Sequence, residues 1–182
     1  SIVMLAVIMG LMLAFDMGGP INKVAYAFML ICVAQGVYTV VAIAAVGICV
    51  PPLGLGLATL VGRKNFSSEE REAGKAALVM GCVGVTEGAI PFAAADPLRV
   101  IPSIMLGSAC GAVTAALFGA QCYAGWGGLI VLPVVEGKLG YVAAVAVGAV
   151  VTAVCVNVLK SLARKNVSQT DEKEDDLDLD FE

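Results

Sequence analysis

The sequence predicts an all-α protein, a polytopic membrane helix bundle with broken or re-entrant helical segments. Three observations predict it. Of the 182 residues, 59% are hydrophobic and only 14% are charged, whereas a soluble domain is roughly 45–50% apolar and about 25% charged. Charge-free stretches cover 1–15, 24–62, 76–86, 88–95, 100–135 and 139–159, several of them matching or exceeding the about 20 apolar residues that cross a bilayer. Glycine and proline fall inside these stretches, where they interrupt helices. So little polar surface cannot coat a water-soluble globule. It excludes a disordered chain, a disulfide-rich mini-protein and a nucleic-acid binder, and it makes the lipid bilayer the expected surrounding.

The elements follow in order. Residues 1–15 form an apolar run without a basic n-region or cleavage site, so it is not a signal peptide. It reads as the inner end of a span whose start precedes Ser1. In 24–62, Pro51-Pro52 with Gly47, Gly54 and Gly56 predict a division into a full span near 24–47 and a short re-entrant or broken helix over 51–62. RKNFSSEEREAGK, residues 63–75, is the one long polar loop, and Ser67 or Ser68 with Glu70 and Glu72 predicts a capped helix from about residue 68. The runs 76–95, 100–120 and 139–159 predict crossings, with 122–135 unassigned. Because 76–95 and 122–135 are rich in Gly and Pro, one of them is expected to be interrupted. The loop 63–75 and the Lys160, Arg164, Lys165 cluster carry most of the basic charge, which places both, and the C-terminus, in the cytoplasm.

Residues 1–165 read as the membrane domain and 166–182 as an acidic, disordered, solvated cytoplasmic tail. That tail holds eight acids and one base, a composition that cannot bury a core. Histidine is absent and the six cysteines include no Cys-x-x-Cys pair. No metal site or cofactor is expected; the cysteines read as small packing residues, and histidine acid–base chemistry is excluded.

Ionisable residues inside apolar runs are expensive and usually functional. Glu87 is the sole charge between Lys75 and Asp96, and Gly88 and Pro91 beside it predict a broken helix whose freed backbone must face protein or water. A carboxylate at such a break suits a substrate or ion site. Thr86 and Gly88 are candidates with it. Asp96 and Arg99 lie three apart, which allows an ion pair under a Pro97 helix start as readily as ligand contact. Asp16 precedes MGGPIN, a turn or helix break, and Asn22 suits either a sugar hydroxyl or a helix cap. Trp126, the only tryptophan, lies in YAGWGGLIVLP beside Gly127 and Gly128. It suits a sugar-stacking face or an interfacial anchor.

Four segments carry a resemblance: FDMGGPINKVAYAF (15–28), VPPLGLGLATL (50–60), SEEREAGKAA (68–77) and TEGAIPFAAADPLRVIPSIMLGS (86–108). Together they resemble the membrane-spanning IIC component of the fructose family of the bacterial phosphoenolpyruvate-dependent sugar phosphotransferase system, over roughly residues 2–165. The resemblance implies a permease of the bacterial inner membrane that carries a hexose and is part of a phosphotransferase. The sugar is phosphorylated by a cysteine phosphate on a IIB partner, itself recharged from a phosphohistidine on IIA. It further implies that this is the C-terminal, sugar-binding half. The N-terminal half of such permeases builds the scaffold and the homodimer contact. Many fructose members carry Ala-Pro-His-Gly-Gly where this chain has Ala124-Gly125-Trp126-Gly127-Gly128. The difference bears on which sugar is carried, since fructose-like paralogues serve other sugars and sugar derivatives.

The mechanism expected from these readings has Glu87 accept hydrogen bonds from sugar hydroxyls and deprotonate or orient the attacking one, with Thr86 and exposed backbone assisting and Arg99 offsetting negative charge. Two other classes fit the same residues: an ion-coupled secondary transporter, which also uses an intramembrane carboxylate and broken helices, and an inactive or split permease fragment.

Overall fold

The computed structural model describes residues 1–179, with side chains over 1–169. The helices are α1 (Ile2–Phe15), α2 (Pro20–Ala34), α3 (Tyr38–Val61), α4 (Ser68–Val83), α5 (Ile90–Ala95), α6 (Pro97–Phe118) and α7 (Lys138–Leu179). Two strands, β1 (Gln121–Cys122) and β2 (Val135–Glu136), pair antiparallel with Gln121 opposite Glu136. Among the described residues, three helices are long and apolar enough to cross a membrane: α3, α6 and the Lys138–Gln169 part of α7. The helical class predicted from composition is the class observed.

α3 is the central element. Its sequence is apolar all round, as a helix enclosed by others requires, and its most apolar window is 94% buried. α6 and α7 pack on it through small residues. A Cβ on Gly148 would lie 2.6 Å from Val50 Cγ2 and 2.9 Å from the Gly107 carbonyl, so α3, α6 and α7 approach at a distance that only glycine allows there. On its outer side α7 presents Val142, Val150, Val154 and Val158, an exposed apolar stripe that suits lipid.

The predicted break at Pro51-Pro52 does not occur. α3 passes through both prolines as one helix. Each proline lacks the N–H that would bond four residues back, which frees the carbonyls of Gly47 and Ile48. Both are met by hydroxyls from other elements. Ser108 Oγ donates to the Gly47 carbonyl (3.4 Å) and Thr86 Oγ1 to that of Ile48 (3.1 Å). The interruption lies earlier, at 35–37. There Gly36 has φ +76°, its N–H bonds the Val33 carbonyl, and the Val37 N–H bonds that of Cys32. This glycine-centred closure ends α2 within the predicted 24–47 span.

α4 opens with a complete capping box. Glu70 N–H donates to Ser67 Oγ, and Ser67 N–H to the Glu70 carboxylate. The polar loop and the end of α7 form one network at one end of the bundle. Asn65 Nδ2 donates to Asn157 Oδ1 and to Ser161 Oγ (both 3.2 Å), Arg164 to Asn65 Oδ1 (3.2 Å), and Lys160 pairs with Glu70 (3.4 Å) over the Phe66 ring. The two basic clusters thus share one end.

Both Gly/Pro-rich runs are interrupted, not one of them. α4 stops at Gly84 (φ +95°), a 3-10 turn covers Thr86–Ala89, and α5 follows. The chain then returns to the end it left. Phe92 packs edge-on against Phe66 (6.1 Å between centroids), and Asp96 and Arg99 share a surface cleft with Asn65 and Lys160. Residues 68–95 are therefore re-entrant, and α6 and α7 supply the two full passages between the basic clusters. The second run, 122–135, lies in a hairpin over 119–137 whose mouth is the β1–β2 ladder at the opposite end, where Tyr123 packs at a tilt against Tyr38 with ring centroids 4.4 Å apart. There the Tyr123 hydroxyl donates to Glu136 (2.5 Å), which pushes the phenol up from its ordinary pKa. The hairpin tip dips inward, and a Cβ on Gly127 would lie 2.9 Å from the Ala45 carbonyl of α3.

The helical path of α7 continues to Leu179, beyond residue 166, where the tail is expected to begin. Side chains from 170 onward, and residues 180–182 altogether, lie outside the described residues, and with them the expected solvation of most of the acidic tail.

Two stability outcomes follow. Thr86→Val leaves the Ile48 carbonyl bare and is expected to cost about 1–3 kcal/mol. Pro52→Ala restores an N–H to that carbonyl, so Thr86→Val should cost less in a Pro52→Ala background. A denaturant double-mutant cycle in detergent reads this coupling, and strict additivity would contradict it. Ser67→Ala should cost about 1 kcal/mol through loss of the cap, measured the same way.

Candidate functional site

Two helix breaks and the hairpin tip converge beside the middle of α3. The first break is 16–19, between α1 and α2. Met17 has φ +47° and Gly18 φ +102°, a tight reversal that L side chains seldom adopt. Asp16 secures it. One carboxylate oxygen accepts from Ile21 N–H (2.8 Å) and the other from Asn22 N–H (3.0 Å). Pro20 has no N–H, and the Lys23 N–H bonds the Gly19 carbonyl. Every amide at the start of α2 is thereby accounted for, with a carboxylate at the positive end of the helix. Asn22 Nδ2 in turn donates to the Leu13 carbonyl at the end of α1 (2.7 Å).

The second break is 84–89. The Val83 carbonyl at the end of α4 accepts from Trp126 Nε1 at 2.7 Å. Gly84 and Gly128 are in van der Waals contact, a Cβ on Gly128 lying 2.5 Å from the Gly84 nitrogen, so the two irregular segments meet tip to tip. Tyr141 on α7 holds the hairpin from below by donating to the Gly128 carbonyl (2.7 Å). Tyr26 on α2 holds it from the side by donating to the Gly125 carbonyl (2.9 Å). Tyr26 and Trp126 meet edge to face at 6.3 Å.

Between these parts is a cleft of about 440 Å³, lined by Gly18, Asn22, Lys23, Tyr26, Ile48, Gly84, Val85, Thr86, Glu87 and Trp126. A cleft of this size suits a small polar molecule. Its walls are an aromatic pair, backbone at two glycines, one carboxylate and one ammonium. The Glu87 carboxylate rests against Gly18, where a Cβ would come within 2.5 Å of Oε1. Among the described residues Glu87 and Lys23 have no side-chain partner, and no ion pair joins them.

Of the residues proposed from the sequence, Asn22, Thr86, Glu87 and Trp126 line this cleft. Asp16 stands behind it as a helix cap. Gly88 is buried among Ala77, Met80 and Pro52, each about 3.2 Å from where a Cβ would be, and it lets α4, α3 and the 3-10 turn close up. Asp96 and Arg99 lie elsewhere. They pair at 2.9 Å in the cleft beside Asn65 and Lys160, and Asp96, although it precedes α6, makes no capping bond. Tyr26 was not among the proposed residues. It lies four residues beyond Asn22 on the same helix face, a signal that becomes readable once α2 is known to start at Pro20.

Comparisons with known proteins bear on what such a cleft serves. No family model matches the chain, and no solved structure matches it. It is 93% identical over 182 residues to the fructose-like permease IIC component 2 of Escherichia coli K12, a match covering all of this chain and 51% of that protein. It is 43% identical over 160 residues to the fructose permease IIC component of Bacillus amyloliquefaciens, covering 88% of this chain and 52% of that one. It is 49% identical over 163 residues to the fructose-specific EIIB'BC component of Xanthomonas campestris, covering 88% and 28%. The chain spans about half the length, or less, of the curated relatives it matches. On the strength of these identities, and of apolar helices that make it an integral membrane protein, the chain belongs to the fructose family of phosphotransferase-system IIC components.

Proposed function

We propose that this chain forms the sugar-binding part of an inner-membrane permease that translocates a fructose-like hexose and presents it for phosphorylation by a IIB partner. The observation that carries the reading is the Glu87 carboxylate, unpartnered among the described residues, at a helix break in a cleft beside the middle of α3. Asp16, Asn22, Thr86 and Trp126 each use polar groups to satisfy freed backbone, so Glu87 is the carboxylate with its acceptor capacity free for hydroxyls. Trp126 and Tyr26 offer aromatic surface for the apolar face of a sugar ring.

The partner reading draws on relatives whose names join the components in one chain, an EIIB'BC protein in Xanthomonas campestris and an EIIABC protein in Bacillus subtilis. In the step proposed, a sugar hydroxyl oxygen attacks the phosphorus of the IIB phosphocysteine. The S–P bond breaks, an O–P bond forms, the hydroxyl proton passes to Glu87, and the cysteine leaves as thiolate. The protein's contribution is positioning and charge. The C-terminus lies on the cytoplasmic side, consistent with both basic clusters sharing one end. The further length present in the relatives supplies scaffold and homodimer contact.

Glu87→Gln is expected to lower hexose affinity about 10- to 100-fold, the size of one lost charge-assisted hydrogen bond or two, with normal membrane insertion. Gly18→Ala, whose methyl meets the Glu87 carboxylate, should show a similar loss. Uptake over a small hexose panel, with and without IIB, measures both. Unchanged uptake in Glu87→Gln rejects the site, and uptake that follows an ion gradient without IIB rejects the phosphotransferase reading in favour of a secondary transporter.

A further inference from the structure

The cleft contains a charge that sugar binding does not use. Lys23 lines it together with Glu87, and the two do not form an ion pair. Several cations at the polar end of the bundle have protein partners: Arg99 on Asp96, Lys160 on Glu70, and Arg164 on Asn65 and the Lys64 carbonyl. Lys23 has none among the described residues, and it is in the first turn of α2, where the helix dipole disfavours a cation. The exposed Lys23 side chain faces the cleft with its three N–H donors free for a ligand.

A neutral hexose does not supply that anion. Its hydroxyls are best met by an acceptor such as the Glu87 carboxylate, whereas three N–H donors on a full positive charge match phosphate oxygens. A phosphoryl group carries roughly −1.5 to −2 charge near neutral pH. A cleft with a carboxylate and an ammonium held apart fits a neutral substrate that becomes anionic in place. We infer that Lys23 is the group that receives the phosphoryl oxygens, stabilising their charge while the S–P bond breaks and the O–P bond forms, and afterwards holding the sugar phosphate. Glu87 holds the hydroxyl end of the same molecule. The inference rests on the phosphotransferase reading above and adds to it the residue that faces the phosphoryl group.

The test uses the full-length protein in membrane vesicles, with fructose as probe and phosphorylated IIB as donor. Lys23→Met is expected to leave the fructose Kd without IIB within about twofold, while the phosphorylation rate falls about 100-fold, as when one preorganised charge-stabilising donor is lost. Fructose phosphate should lose its ability to compete with fructose in the same variant, and Lys23→Arg should recover at least about tenfold of the rate. Retained fructose binding in Lys23→Met certifies that the variant is folded. An unchanged phosphorylation rate overturns the inference, as does a fructose Kd that worsens in step with the rate, since Lys23 would then be a sugar ligand. Glu87→Gln, run in parallel, fails separately: normal fructose binding there rejects the sugar site and leaves the Lys23 result to be read from its own variants.

Discussion

In a medium without water, every backbone N–H and C=O that leaves a helix ladder needs a partner inside the protein. The architecture around the cleft is a set of answers to that constraint. Two prolines free the carbonyls of Gly47 and Ile48, and Ser108 and Thr86 answer them. The end of α1 is answered by Asn22, the start of α2 by Asp16, the end of α4 by Trp126, and the hairpin carbonyls by Tyr26 and Tyr141. Broken helices can then surround a polar cleft without leaving bare backbone, and among the described residues no buried side-chain polar atom lacks a partner.

This division of labour sharpens the chemistry. Polar side chains placed near a helix break serve either the break or a ligand. Around the cleft most serve the break, and the Glu87 and Lys23 side chains, which do not, carry opposite charge. Rigidity at the cleft follows from the same bonds. Trp126 joins the hairpin to the end of α4, and Tyr26 joins it to α2, so the aromatic wall and the carboxylate are fixed relative to one another by only a few contacts.

Features set by near neighbours were legible in the sequence. The Ser67–Glu70 capping box, the Asp16–Gly19 reversal, a break beside Glu87 and the Asp96–Arg99 pair all involve residues within a few positions of each other, although α4 already ends at Gly84, ahead of the expected Gly88–Pro91. Features set by distant partners were not. Pro51-Pro52 reads as a break because the hydroxyls that preserve the helix come from residues 38 and 61 positions away from the carbonyls they meet. The closure at Gly36 was legible in principle, since a glycine ends the helix there, but the uninterrupted apolar run concealed it. Trp126 was open between stacking platform and interfacial anchor, and the bond from its indole N–H to a carbonyl 43 residues earlier was not legible. Glu87 stood out because a lone carboxylate in an apolar run is conspicuous whatever surrounds it.

The bond from Trp126 to Val83, and that from Tyr26 to Gly125 across 99 residues, also order events during synthesis. The re-entrant segment is made before the hairpin that completes it, so the Val83 carbonyl waits for an indole that the ribosome has not yet reached. Until residue 128 has emerged and the hairpin has folded inward, α2 and the end of α4 have no common wall. The cleft is therefore among the last features of this domain to exist, and a nascent chain arrested before the hairpin would present its helix ends, with the charges of Glu87 and Lys23, to the membrane or to whatever chaperones insertion.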